Sequence, residues 1–117
     1  MQYPTTFEEA QAFETYATEL VAKNRDANTK ERSAETLACL TAVQALVPKG
    51  NYRHFKGGAY EVSDILEDVN TGECYVSYKA DYGVYKGVAA LRVLVGENSF
   101  LRPIDRAEYR GVRFTRE

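Results

Sequence analysis

The chain of 117 residues contains one histidine, two cysteines and three prolines, and carries a net charge of only -2. Each scarcity excludes a class of function. A lone imidazole, His54, removes histidine pairs as transition-metal ligands. Cys39 and Cys74 lie far apart in segments of different character, which argues against both a zinc site and a disulfide framework and leaves two reduced, buried core thiols. No apolar run approaches the roughly 20 residues that span a bilayer. The opening Met1-Gln2-Tyr3-Pro4, followed by acidic residues, is unlike a secretory signal. The expected setting is cytoplasmic, with no membrane partner. The near-balanced charge lacks the basic excess that coats extended nucleic acid, while small anions remain candidate ligands.

What is present divides near Pro48. Residues 6–24 read as an amphipathic helix, with Thr6 and Glu9 as a capping box and Phe7, Ala10, Phe13, Ala17, Leu20 and Val21 on one face. The polar stretch from Asn24 to Thr29 competes for backbone hydrogen bonds, so a helical hairpin is expected, with Asn28 or Thr29 capping the second helix. One long helix is the alternative. The second helix should present Ala34, Leu37, Leu40, Val43 and Val47 before Pro48 and Gly50 end it. This helical face should pack on the rest of the chain or across a symmetric homodimer, since two short helices are marginal alone.

Beyond Gly50 the period alternates and turns are signalled at Gly57-Gly58, Asn70-Thr71-Gly72 and Gly96-Glu97-Asn98. A small antiparallel β unit follows, giving an α+β chain with a helical segment over 1–49 and a β domain over 50–117. In one strand Cys74, Val76, Tyr78 and Ala80 should face inward, with Tyr75, Ser77 and Lys79 outward. Val88–Val95 reads as a further apolar strand interrupted by Arg92. Arg102-Pro103 should end a next short strand, Pro103–Tyr109 form a helical turn and Gly111–Thr115 a last strand.

The run Tyr52-Arg53-His54-Phe55-Lys56-Gly57-Gly58 concentrates cations, aromatics and the histidine before a paired-glycine turn. As a general base, His54 would need Asp64, Asp81 or Glu73 to orient it, and no nucleophile lies in an elbow motif. The glycines lack the strand-loop-helix context of a phosphate loop. Catalytic residues, metal and cofactor are therefore all expected to be absent. Arginine forks two hydrogen bonds to phosphate and tyrosine offers a flat face to a base, and the chain has nine tyrosines. The plainer reading of any one tyrosine is a strand residue filling the core. The arginines from Arg102 to Arg116 can likewise pair with Asp105, Glu108 and the acidic first helix on a solvated face.

Several ordered pieces, YRHFKGG at Tyr52–Gly58, YEV at Tyr60–Val62, NTGE at Asn70–Glu73, VSYKADYG at Val76–Gly83 and FLRP at Phe100–Pro103, resemble a small bacterial and phage domain family of unknown function. The resemblance covers residues 52–103 and implies a small SH3-like β-barrel. It supplies no established activity. The chain departs from the pattern at Phe100, where a tryptophan is usual, and in a longer connection over Val84–Asn98.

The expectation is a noncatalytic protein that binds or sequesters a small phosphate-bearing, nucleotide-type signal. Its contacts would be Arg53, His54, Lys56, Tyr78, Tyr82, Tyr85 and Arg102, with Arg53, Arg102 and at least one of the three tyrosines converging on one concave surface. If the chain is phage-encoded, as the resemblance implies for some members, sequestering a host signalling nucleotide suits a small, catalyst-free protein. The alternatives are a protein-protein interaction module, such as an inhibitor of a host protein, and an RNA-binding module.

Overall fold

The computed structural model describes residues 2–28 and 34–117. Helix α1 spans Phe7–Asn28, and its capping box forms: the Thr6 hydroxyl accepts the Glu9 amide at 3.2 Å and Glu9 Oε1 accepts the Thr6 amide at 3.1 Å. The helix outruns its expected end at residue 24 because the polar side chains there bond outward. Asn24 is buried and donates to Glu67 at 2.5 Å, and Arg25 pairs with Glu73 at 3.3 Å. A side chain committed to another element no longer competes for its own backbone. The expected caps at Asn28 or Thr29 lie outside the described side chains.

Helix α2 spans Ala34–Gln44 and packs on α1, with the Cys39 thiol 3.7 Å from the Leu20 carbonyl. Its buried side runs through Thr36 and Val43 and continues past its end into Leu46 and Val47. Leu37, expected on that side, is 62 % exposed. It lies about 100° around the helix from Thr36, which turns it to solvent.

Strands β1 (Gly50–His54), β2 (Ala59–Glu67), β3 (Cys74–Ala80), β4 (Ala89–Val93) and β7 (Phe114–Arg116) form one sheet in the order β4-β3-β2-β1-β7. Each described pairing in it is antiparallel. The short β5 (Ile104–Asp105) and β6 (Arg110–Gly111) pair separately. This hairpin replaces the helical turn expected over Pro103–Tyr109. The strand expected to end at Arg102-Pro103 is a turn held by Ser99, whose hydroxyl accepts the Arg102 amide at 3.1 Å. A bulge between Val62 and Asp64 resets the alternation, so Val62 and Ile65 both reach the core despite their odd spacing.

The sheet does not close into the expected barrel. Its edge strands are occupied by other segments: the Phe100 amide donates to the Val93 carbonyl at 2.9 Å, and the Tyr3 hydroxyl to the Phe114 carbonyl at 2.6 Å. A three-residue β7 offers little further edge for closure.

Both helices and the sheet share one core. Phe13, Ala17, Val21, Val43, Leu46 and Val47 meet Tyr52, Val62, Ile65, Cys74 and Val76, so of the helical side chains expected to seek cover, only Ala34 and Leu37 stay exposed. Phe100 and Phe114 stack at its centre, 4.2 Å apart and 2° from parallel. Burial on the inner face falls along the strands, from Ile65, Cys74 and Leu94 at one end to Tyr60, Ala80 and Ala90 at the other. The second end is where the inner face opens.

Candidate functional site

Strand parity selects the side chains at the open end. Val76 faces Arg92 across the ladder and Tyr78 faces Ala90, so Arg92 points to the inner face although it interrupts an apolar strand. Its Nε donates to the Tyr78 hydroxyl at 3.2 Å, its Nη1 to the Asn98 carbonyl at 3.0 Å, and its guanidinium lies 5.4 Å from the Phe114 ring. On β1 the same parity puts Tyr52 and His54 inward and Arg53 outward. The His54 ring sits 4.9 Å from Phe114 and 6.3 Å from Tyr60.

Arg113 precedes Phe114 and is only 9 % exposed. Its Nε donates to the Arg102 carbonyl at 3.2 Å. Among the described residues, neither Arg92 nor Arg113 has a carboxylate within ion-pairing distance. Burial lowers the Arg113 pKa, and Arg92, Arg106 and Arg102 lower it further against the opposing pull of Glu14. His54 is pushed down to about 4, first by burial and then by Arg92, Arg113, Lys56 and Arg106. The imidazole is therefore neutral at pH 7, and its Nδ1 accepts the Lys56 amide at 3.2 Å. Lys56 and Arg106 flank Phe55 at 5.8 and 5.2 Å from its ring centroid. Together these side chains form a cationic pole.

Beside the pole lies a cleft of about 410 Å³ walled by Tyr60, Tyr78, Tyr82 and Tyr85, with Val88 and Ala90. Tyr60 and Tyr78 belong to both places, through His54 and Arg92. The Tyr60 and Tyr82 hydroxyls share a 2.8 Å hydrogen bond, and burial with that bond pushes Tyr60 up to about 12. Gly58 lets the Tyr82 ring cross the β1–β2 turn: a Cβ there would stand 2.6 Å from that ring.

The expected set thus comes together only in part. Tyr78, Tyr82 and Tyr85 share the cleft, and His54 and Lys56 belong to the adjoining pole. Arg53 and Arg102 do not join them. Arg53 projects from the outer side of β1 and binds the Gly57 carbonyl at 2.9 Å and Glu117 at 3.4 Å. Arg102 turns to helix α1, where its Nε donates to Glu14 at 2.7 Å. Arg92 and Arg113 hold the positions that Arg53 and Arg102 were expected to fill. The signal for Arg92 was its inward parity within an apolar run; for Arg113 it was the flanking Val112 and Phe114. Arg110 does behave as a solvated surface arginine, pairing with Glu8 at 2.8 Å.

No carboxylate orients the imidazole among the described residues. Asp64 accepts the Ile65 amide, Asp81 faces Lys86 at 3.8 Å and Glu73 pairs with Arg25. Those residues also contain no cluster of three metal-ligating side chains and no helix long and apolar enough to cross a membrane. What the site offers is charge at one end and flat aromatic surface at the other.

Residues 50–116 match a family described as a protein of unknown function, DUF1653. No curated protein matches the chain. The crystal structure of a DUF1653 protein from Bordetella bronchiseptica is similar, with a TM-score of 0.54 at 23 % identity, covering 63 % of this chain and 91 % of that one. At that identity the likeness bears on the fold alone. The pole and the cleft both fall within the matched residues.

Proposed function

Because the chain belongs to the DUF1653 family, whose description carries no activity, we propose from the site's geometry that it is a noncatalytic protein binding a small phosphate-bearing, nucleotide-type ligand. One observation carries the reading: Arg92 and the buried Arg113 have no carboxylate partner within ion-pairing distance among the described residues, and Arg92 bonds Tyr78, a wall of the tyrosine-lined cleft. Guanidiniums held near one another, one buried and one half-buried, repel, and an anion seated among them relieves that repulsion. A cleft of this size suits a small molecule. The unpaired Cys39 and Cys74 fit a reducing, cytoplasmic setting for such a role. The same reading takes the open sheet, its last strand returned beside the first, as the SH3-like arrangement that the sequence resemblance implies.

The test is thermal unfolding with nucleoside phosphates. A ligand held only by the folded chain adds about 2.7 kcal/mol of stability at 100 times its Kd. Arg92→Ala should abolish the shift and Arg53→Ala should preserve it; a wild type insensitive to every phosphate tried would refute the reading. A second reading, a protein partner, draws on Val84, 94 % exposed, and on Tyr85 and Val88 beside the edge strand β4. Strand addition there is restricted, since Phe100 already occupies the Val93 carbonyl.

A further inference from the structure

Resting on the nucleotide reading above, we propose that the site holds the ligand's ring by stacking and does not read the hydrogen-bonding edge of the base, so that ring size and not base identity sets affinity, while Gly58 and Tyr82 set the cleft width. Discrimination between bases requires groups that meet the donors and acceptors along a base edge, typically amide, carboxylate or guanidinium side chains. The cleft lining has none: its side chains are aromatic or aliphatic. The Tyr60 and Tyr82 hydroxyls bond each other and Tyr78 accepts from Arg92, which leaves the exposed Tyr85 hydroxyl; a hydroxyl turns to donate or to accept, so it meets any base edge without selecting one. Every base presents a π face, so a wall of tyrosines accepts any of them, with larger rings covering more surface. Charge selection falls to the pole, where Lys56, Arg92, Arg106 and Arg113 surround His54.

Tyr82 is the wall that can be moved without disturbing the core. It is 49 % exposed and reaches its place across Gly58. Gly58 is not among the positive-φ glycines, so alanine is tolerated by the backbone there, and the atoms nearest its methyl are those at the tip of the Tyr82 side chain. Gly58→Ala therefore displaces one wall of the ring cleft and leaves the cationic pole intact. Gly58 acts as a positioning residue.

Isothermal titration of the full chain with AMP, GMP, CMP and ribose 5-phosphate tests this. AMP and GMP should bind within about threefold of each other, CMP more weakly, and ribose 5-phosphate roughly tenfold or more weaker than AMP, the scale of one base–aromatic stack. Gly58→Ala and Tyr82→Ala should both bring AMP toward the ribose 5-phosphate affinity while leaving ribose 5-phosphate unchanged; Tyr82→Ala alone decides the matter if Gly58→Ala fails to fold. A preference of roughly tenfold between AMP and GMP would overturn the inference, because stacking alone does not separate them. Ribose 5-phosphate binding as tightly as AMP would also overturn it, yet leave the phosphate-binding reading standing. Failure of all four phosphates would defeat both.

Discussion

As the only imidazole in the chain, His54 can be followed by NMR without assignment ambiguity. Its pKa should fall from the ordinary 6.5 to about 4. Burial is the largest cause, and the cations facing it from every side add to it: Lys56 from the β1–β2 turn, Arg92 from β4, Arg106 from the β5–β6 turn and Arg113 before β7. Unfolded chains bind a proton here at about pH 6.5 and folded chains only near 4. Stability from the neutral ring is thus fully present above pH 6.5 and is lost as pH falls toward 4. A shift of that size corresponds to about 3.4 kcal/mol for an enclosed group, but solvent screens the half-open ring, leaving about 1–2 kcal/mol. A bound phosphate reverses the field at the ring, so saturating AMP should raise the His54 pKa by about one unit or more. The assay is a titration of the imidazole carbon-bound protons with and without AMP. An apo pKa of 6.5 or higher would refute the cationic pole; an unchanged pKa under saturating AMP would put the ligand's charge elsewhere.

Glu14→Ala should destabilise the fold by about 3 kcal/mol, lowering the melting temperature by roughly 12 °C in calorimetry. The buried Glu14 carboxylate accepts Arg102 Nε at 2.7 Å, the Gly96 amide at 3.0 Å and the Ser99 hydroxyl at 3.4 Å, and a loss under about 1 kcal/mol would mean that this network does not anchor the 96–102 segment. Of the two free thiols, Cys74 is buried and pushed up to about 12, so native protein should titrate at most one thiol, Cys39, with Ellman's reagent. Denaturant should reveal both, and a nonreducing denatured mass two protons light would contradict this.

Elements whose signals are local were readable from the sequence. The Thr6–Glu9 box needs only three residues of spacing, and the inward set of β3 needs only alternation. What was not readable depends on partners distant in the chain. Asn24 looks like a helix breaker until Glu67 is beside it, and Ser63 looks like a strand residue until the bulge is seen against Ser77. The misassigned arginines follow the same rule. Arg53 stands next to His54 in sequence, but neighbours on a strand face opposite sides, so the motif that named Arg53 also placed it away from the imidazole.

The division of labour within the inner face explains how a chain this short leaves one end of its sheet open for the proposed site. At the end lined by Ile65, Cys74 and Leu94 the two helices cover the sheet with Phe13, Ala17, Val21 and Val43 and exclude water. Among the described residues, Tyr60 and Ala80 are only half-buried and Ala90 is exposed, so the strands there keep inward residues in reach of solvent. A sheet residue facing inward without a partner is usually a cost, and mixed tyrosine and arginine composition moderates it because both tolerate contact with water and with flat apolar surface. The cations gathered there repel one another, since Glu14 is taken by Arg102. That residual repulsion is the free energy a phosphate can recover on binding. Charge-reducing variants of the pole, Arg92→Ala foremost, should on this argument weaken the ligand while raising the stability of the unliganded fold.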